Sequence, residues 1–430
     1  MKKIVIYCGN GYFFQEFYYA VIIIISQIKG EHEIHFIIED NHLSKNIIKI
    51  INKLLSSGLL KSFEISNLET NLGLLRKINY YNKLINKLNE NKVDYFICGA
   101  DTTPIMRIII TIIHRYGGKF ILMPSGTLGS LFYKNIGKFK EEVKVKKKQE
   151  NYTERIFKKR KEIGTINLLF YIIKFIINII SIRLNKKINF ILDYKVYPFF
   201  LIGKTLSSKN LIARDIGGFC DYSIVFNQED YKNIKTLIPS VSNLILAKHP
   251  MVGYCKQNEK VNNSNLLVLI GSISANRIHE DKIKKWMTAI KKINRLIKPS
   301  QIHIRFHPRE RKKLIMQFEE ELSSNKIDYT LLDSASIPLT DNICNYIGAL
   351  GSPSGSLKLF RWATKHTFAL CLENVTMRGI NGNKVIMGSH EGIKIINDSI
   401  DIDLKMLIPP SNLSFNHYLP LKDCLSRIFS

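Results

Sequence analysis

Short apolar runs alternate with longer segments of helical spacing along most of the chain, and this alternation begins twice. The first series opens with "KIVIYCGN" (3–10), the long apolar helix "FFQEFYYAVIIIISQIK" (13–29) and "HEIHFIIED" (32–40). It continues through "NIIKIINKLLSSG" (46–58), "VDYFICGAD" (93–101), "PIMRIIITIIHRYGG" (104–118) and "KFILMPSGT" (119–127), and resumes with "YSIVFN" (222–227) and "NLILAKHP" (243–250). The second begins at "NLLVLIGSIS" (265–274) and alternates through "EDKIKKWMTAIKKINRLI" (280–297), "QIHIRFHP" (301–308), "ERKKLIMQFEEELSSN" (310–325), "ICNYIGALGS" (343–352), "GSLKLFRWATK" (355–365) and "TFALCLEN" (367–374). Strands that are apolar along their whole length are buried on both faces, and strands joined by helices run parallel. Glycine stops and a proline start mark several of the helices.

The expected fold class is therefore α/β, with two doubly wound, Rossmann-like domains. We divide the chain into a first domain over 1–133, an insertion over 134–212, the end of the first domain and a hinge over 213–250, a second domain over 251–410 and a terminal helix over 411–430. A length of 430 residues suits two cores better than one.

The insertion differs in texture. Residues 134–209 hold 19 of the chain's 63 basic residues but only 6 of its 36 acidic ones, within a net charge of +27. Inside lies "INLLFYIIKFIINIISI" (166–182), flanked by "FKKRK" and "RLNKK". Its polar residues, Lys174 among them, fall on one narrow arc of a helix. This fits a helix lying in an anionic membrane interface, or one packed on the protein's own core. The basic excess favours anionic partners. Heavy use of Lys, Ile and Asn throughout weakens that signal, and without interleaved aromatics or a known module no nucleic-acid partner is expected. Seven scattered cysteines without a CxxC pair read as core thiols in a reducing compartment, not as a disulfide framework or zinc site. The start "MKKIVIYCGNGYF" has too short an apolar run for a secretory signal. The expected location is cytoplasmic, peripheral on the inner membrane.

Ligands of parallel sheets bind beyond the carboxyl ends of the strands. In the second domain those ends carry "GSISANR" (271–277), with Gly271 and Ser272, "HPRE" (307–310), "GSPSGS" (351–356) and "ENVTMRG" (373–379). Ser352, Ser354, Gly355 and Ser356, at the entrance of a helix with Lys358 nearby, make an anion site or an ordinary N-cap. Arg305, His307, Pro308 and Arg309 add guanidinium and imidazole groups at an adjacent strand end, where Pro308 redirects the chain. Together the two loops read as a clamp for a nucleotide phosphate.

Two such domains, the second with His307-Pro308 and a serine loop before a helix, resemble the GT-B glycosyltransferases. The likeness is greatest to bacterial sialyltransferases, polysialyltransferases and capsule Kdo transferases. The resemblance implies transfer of a sugar from a CMP-linked donor onto a glycan or glycolipid acceptor of a bacterial capsule or lipooligosaccharide, without metal or other cofactor. His307 would stabilise the departing nucleotide, and Ser352, Ser354 and Ser356 would hold its phosphate. The acidic motif that supplies the base in those families has no counterpart in "MPSGT" (123–127). Asp101 is the nearest candidate base, and an N-cap for the helix at Pro104 is its alternative role. The competing readings are a CDP-glycerol-type polyol phosphotransferase, a UDP-sugar 2-epimerase, which needs several carboxylates in the cleft, and a non-catalytic membrane-associated glycan-binding protein. "DID" (401–403) and the second His-Pro, His249-Pro250, are read as chance and as linker.

Overall fold

The computed structural model describes residues 1–9, 14–39, 43–66, 87–88, 90–99, 104–124, 220–228, 231–232, 235, 243–255, 264–270, 279–307, 310–334, 337, 339–352, 354–364, 367–372, 375–378, 384–387, 392–396, 402–409, 415 and 417–430. The basic insertion lies outside these residues, as do Asp101, Gly271, Ser272, Pro308 and Arg309. Among the described residues no helix is long and apolar enough to cross a membrane.

The first domain supplies β1 (Lys2–Cys8), β2 (His32–Glu39), β3 (Ser62–Ser66), β4 (Tyr95–Cys98), β5 (Lys119–Leu122), β6 (Tyr222–Val225) and β7 (Leu244–Lys248). A two-residue strand near the carboxyl terminus, β16 (Leu419–Pro420), completes an eight-stranded parallel sheet in the order β16-β7-β6-β5-β4-β1-β2-β3. The second sheet holds β8 (Asn265–Ile270), β9 (Ile302–Phe306), β10 (Tyr329–Leu331), β11 (Tyr346–Gly351), β12 (Phe368–Leu372) and β15 (Lys394–Ile396), all parallel, in the order β10-β9-β8-β11-β12-β15. A separate antiparallel ribbon pairs β13 (Val375–Arg378) with β14 (Lys384–Met387). This is the two-domain α/β architecture that the alternation predicts. The sheet order reverses beside β1 in one domain and beside β8 in the other, which is where parallel sheets open a crevice for ligands.

The helices follow the apolar spacing. In the first domain they are α1 (Tyr19–Ser26), α2 (Lys45–Ser56) and α3 (Pro104–Arg115). In the second they are α4 (His279–Ile297), α5 (Lys312–Ser324), the single turn α6 (Leu339–Asn342) and α7 (Gly355–Ala363). The last, α8 (Leu421–Phe429), returns to the first domain, where Lys2 Nζ donates to the Phe429 carbonyl and Tyr95 packs on the Phe429 ring at 4.7 Å between centroids.

Three expectations need correction. The helix expected over 13–29 begins with a π turn, Phe14–Tyr18, before α1. The strand expected from residue 343 starts only at Tyr346, because 339–342 and 343–345 form helical turns. The reading of seven core thiols also changes. Cys255 and Cys344 form a disulfide, their Cα atoms 5.4 Å apart across 89 residues of chain, while Cys8, Cys98, Cys220, Cys371 and Cys424 are buried thiols. Spacing could not reveal the pair, because only the fold brings the segment after β7 against the turn before β11.

The two domains share a core. His249, just past β7, stacks on Trp362 of α7 at 4.0 Å with an interplanar angle of 10°. Phe17 and Phe226 close around the same imidazole at 5.4 and 5.0 Å. One buried cluster therefore runs from α1 through this stack to Leu357 and Phe360, and a second fills the space between the sheet and α4 and α5.

Candidate active site

The candidate site draws on each domain at the strand ends beside the two sheet reversals. On the first, β1 ends at Cys8 and the chain re-enters at the π turn. Phe14, Phe17 and Tyr18 of that turn are buried, whereas Gln15 and Glu16 keep some exposure. The apolar side chains thus hold the turn down while Glu16 faces the second domain. Tyr18 ties the turn to the end of β4, where the Gly99 N–H reaches its phenolic oxygen and a Cβ at Gly99 would stand 3.1 Å from Oη. A π turn places one residue more in a coil than an α-helix does, and such turns are common at functional sites.

On the opposite wall, β9 alternates. Ile302, Ile304 and Phe306 enter the second core. His303 and Arg305 lie on the other face, where His303 Nδ1 is 3.1 Å from Tyr346 Oη. Arg305 is 8 % exposed, and its Nη2 donates to the Ile337 carbonyl at 2.7 Å. Its guanidinium interacts with Glu16 across the domain boundary and with Asp333, Asp341 and Tyr346 of its own domain.

The electrostatics follow from this enclosure. Although Glu16 retains some surface as a residue, its carboxyl is surrounded by protein, and burial pushes its pKa up to about 7. Arg305 and the Leu339 N–H pull it down without offsetting the burial. Burial lowers the Arg305 pKa against the upward pull of Glu16, Tyr346, Asp333 and Asp341. Tyr346 is pushed up to about 12, again by burial.

The predicted phosphate clamp is brought together in part. His307 is exposed at the tip of β9, and its backbone N–H donates to the Ile270 carbonyl at 2.9 Å, joining β9 to the end of β8. Ser352 N donates to Leu269 O at 3.1 Å, which sets the serine loop on the other side of β8. His307 and Ser352 therefore flank one strand end. Ser354 has the N-cap role that was its alternative: its Oγ accepts from Leu357 N at 3.3 Å. Gly355 begins α7, Ser356 is exposed in its first turn and Lys358 is buried. Arg305 is held inside the domain boundary, where its guanidinium donates to the Ile337 carbonyl.

Two other motifs resolve structurally. His249 is buried in the aromatic stack, and its Nδ1 accepts from Met251 N at 3.1 Å. Asp403 of the "DID" stretch caps a short helical turn, accepting from Met406 N at 2.9 Å. Among the described residues, no three His, Cys, Asp or Glu side chains gather as metal ligands would.

Sequence reasoning missed Glu16. It reads 13–29 as one long apolar helix. The available signal was a single acid within "FFQEFYYAVIIII", a charge with no solvated face to occupy.

No family model and no curated protein sequence matches the chain. Solved structures do. The UDP-GlcNAc 2-epimerase of Methanocaldococcus jannaschii superposes with a TM-score of 0.53 at 12% identity, covering 100% of this chain and 99% of its own. The S. aureus protein MnaA, solved with UDP, superposes with a TM-score of 0.51 at 10% identity, covering 95% and 90%. At such identities the likeness is one of fold, and the described residues have the two-domain GT-B-like architecture.

Proposed function

We propose that the chain is an enzyme acting on a nucleotide sugar, and that its reaction is inversion at C2 of a UDP-linked sugar. The observation that supports this reading best is the fold, shared with a UDP-GlcNAc 2-epimerase, with the buried Glu16 carboxyl within electrostatic reach of Arg305 of the second domain. Inversion at C2 requires a hydrogen to leave one face of the sugar and another to be delivered to the opposite face. Groups that gain and lose a proton near neutral pH serve such a reaction. The scarcity of cleft carboxylates counted against an epimerase in the sequence. Glu16, with Asp333 and Asp341 around Arg305, reduces that objection.

The second reading is glycosyl transfer from a nucleotide donor, CMP-linked in the resemblance to sialyl- and Kdo transferases. The exposure of His307 and Ser356 near the serine loop favours it. In both readings the nucleotide phosphates sit at the ends of β8, β9 and β11, where backbone N–H groups and the start of α7 receive anions.

Incubation with UDP-GlcNAc in D2O, followed by proton NMR, separates them. Epimerisation gives deuterium at C2 and the C2 epimer. Transfer leaves C2 protiated and instead releases CMP from a CMP-sugar when an acceptor glycan is present. Absence of both deuterium at C2 and CMP release under saturating substrate would overturn the enzymatic reading.

A further inference from the structure

We propose that the Cys255–Cys344 pair is a reversible thiol–disulfide exchange site, opened by a dithiol reductant, and that its redox state latches the segment joining the two domains, whatever ligand lies between them. Residues 249–255 lead the chain out of β7 of the first sheet toward β8 of the second. The inner part of this segment is anchored by burial: His249 and Met251 are 2 % and 5 % exposed, and His249 stacks on Trp362. The outer part is not. Val252, Gly253 and Cys255 are half-buried, and Tyr254 is 53 % exposed. Two backbone bonds set this outer part on the end of α7, from Gly253 N to the Trp362 carbonyl and from Cys255 N to the Ala363 carbonyl, each at 3.1 Å. The bridge adds the covalent hold. Cys344 sits in the turn 343–345, which continues α6, and α6 packs on the π turn Phe14–Tyr18 of the first domain. The bridge thus ties the connection between the domains to an element that touches both.

Exposure sorts the seven cysteines. Cys8, Cys98, Cys220, Cys371 and Cys424 are buried thiols, none more than 5 % exposed, whereas Cys255 and Cys344 are half-buried. Exchange requires a thiolate to reach a sulfur, so a reagent in solvent meets this pair and not the others. Accessible bridges are the labile ones. One thiolate of the dithiol attacks one sulfur of the bridge; the S–S bond breaks, and the other cysteine leaves as a thiolate and takes a proton. The second thiol of the reductant then displaces the first cysteine. The reductant leaves as its own disulfide, having passed two electrons and two protons to the pair. After reduction, the backbone bonds of Gly253 and Cys255 are the outer hold. Bonds of this kind at a half-exposed surface open locally without global unfolding. The stack on Trp362 keeps the domains joined while the connection gains play.

Alkylation of the native full-length protein by iodoacetamide, with and without excess dithiothreitol, tests the exchange site. Peptide mass spectrometry should find no labelled cysteine before reduction, Cys255 and Cys344 labelled after it, and the buried thiols labelled only in denaturant. Hydrogen exchange of the same samples tests the latch. The Gly253 and Cys255 amides should exchange roughly tenfold faster after reduction, while the Ser352 amide, bonded to the Leu269 carbonyl, keeps its rate. Cys255→Ser/Cys344→Ser should show the fast rates with or without dithiothreitol; if that variant fails to fold, the two wild-type measurements decide. A bridge that resists dithiothreitol in the folded protein overturns the exchange site. Reduction with unchanged rates at Gly253 and Cys255 overturns the latch, as does faster exchange throughout both sheets, which would make the bridge a staple of the whole fold.

Discussion

Glu16 owes its properties to its setting: one acid in an apolar turn, pressed against another domain. Burial pushes its pKa up from the ordinary carboxylate range to about 7 in the folded protein. A raised acid stabilises the fold fully below its unfolded pKa, and that contribution is lost as pH rises through the folded one. Glu16→Gln keeps an acceptor for the Leu339 N–H and removes the charge. We expect its thermal midpoint to exceed that of the wild type above pH ~7, by the equivalent of about 2–3 kcal/mol, and to match it near pH ~4.5. An unchanged difference across that range would show that burial does not penalise the carboxylate. The sequence displayed this residue but not its surroundings. "RFHPRE" was legible as a polar strand end because charged and polar groups cluster there. Arg305 and Glu16 are 289 positions apart, and no local pattern relates them.

At the scale of elements, the period of apolar residues and the glycine and proline punctuation made the parallel strands and most helices legible. The misses have physical causes. A π turn and an α-helix share one apolar pattern over five residues, so 14–18 read as helix. The short strands β3, β10 and β15 carry too few residues to show a period, and pairing in the sheet decides them. The serine loop shows how one pattern serves two roles. Ser354 caps α7, so Ser354→Ala should destabilise the protein by about 1 kcal/mol, and Ser354→Asn, which keeps a capping oxygen, should restore most of it in chemical denaturation. If Ser354→Asn is as unstable as alanine, the hydroxyl has a role beyond the cap.

Among the described residues, distant parts of the molecule are joined at the aromatic stack around His249, at the return of α8 to β1 and at the Cys255–Cys344 bridge. Trp362→Ala removes the ring on which His249 stacks and should cost about 3–5 kcal/mol in a single unfolding transition that reports both domains. The bridge closes 89 residues of chain, and its reduction should lower stability by up to about 4–5 kcal/mol on loop entropy alone. A thermal midpoint insensitive to reductant would show that packing, not the bond, holds that junction. The sequence revealed two domains but none of these joints, since each is made by residues far apart in the chain. The central claim is that a nucleotide sugar lies between the domains, its diphosphate at the end of β8. A crystal structure of the protein soaked with UDP-GlcNAc tests it most directly. The account predicts phosphate oxygens within hydrogen-bonding distance of the His307 side chain or the serine-loop N–H groups at 351–356, and the sugar ring facing Glu16. A nucleotide bound elsewhere, or with its sugar turned from Glu16, would contradict it.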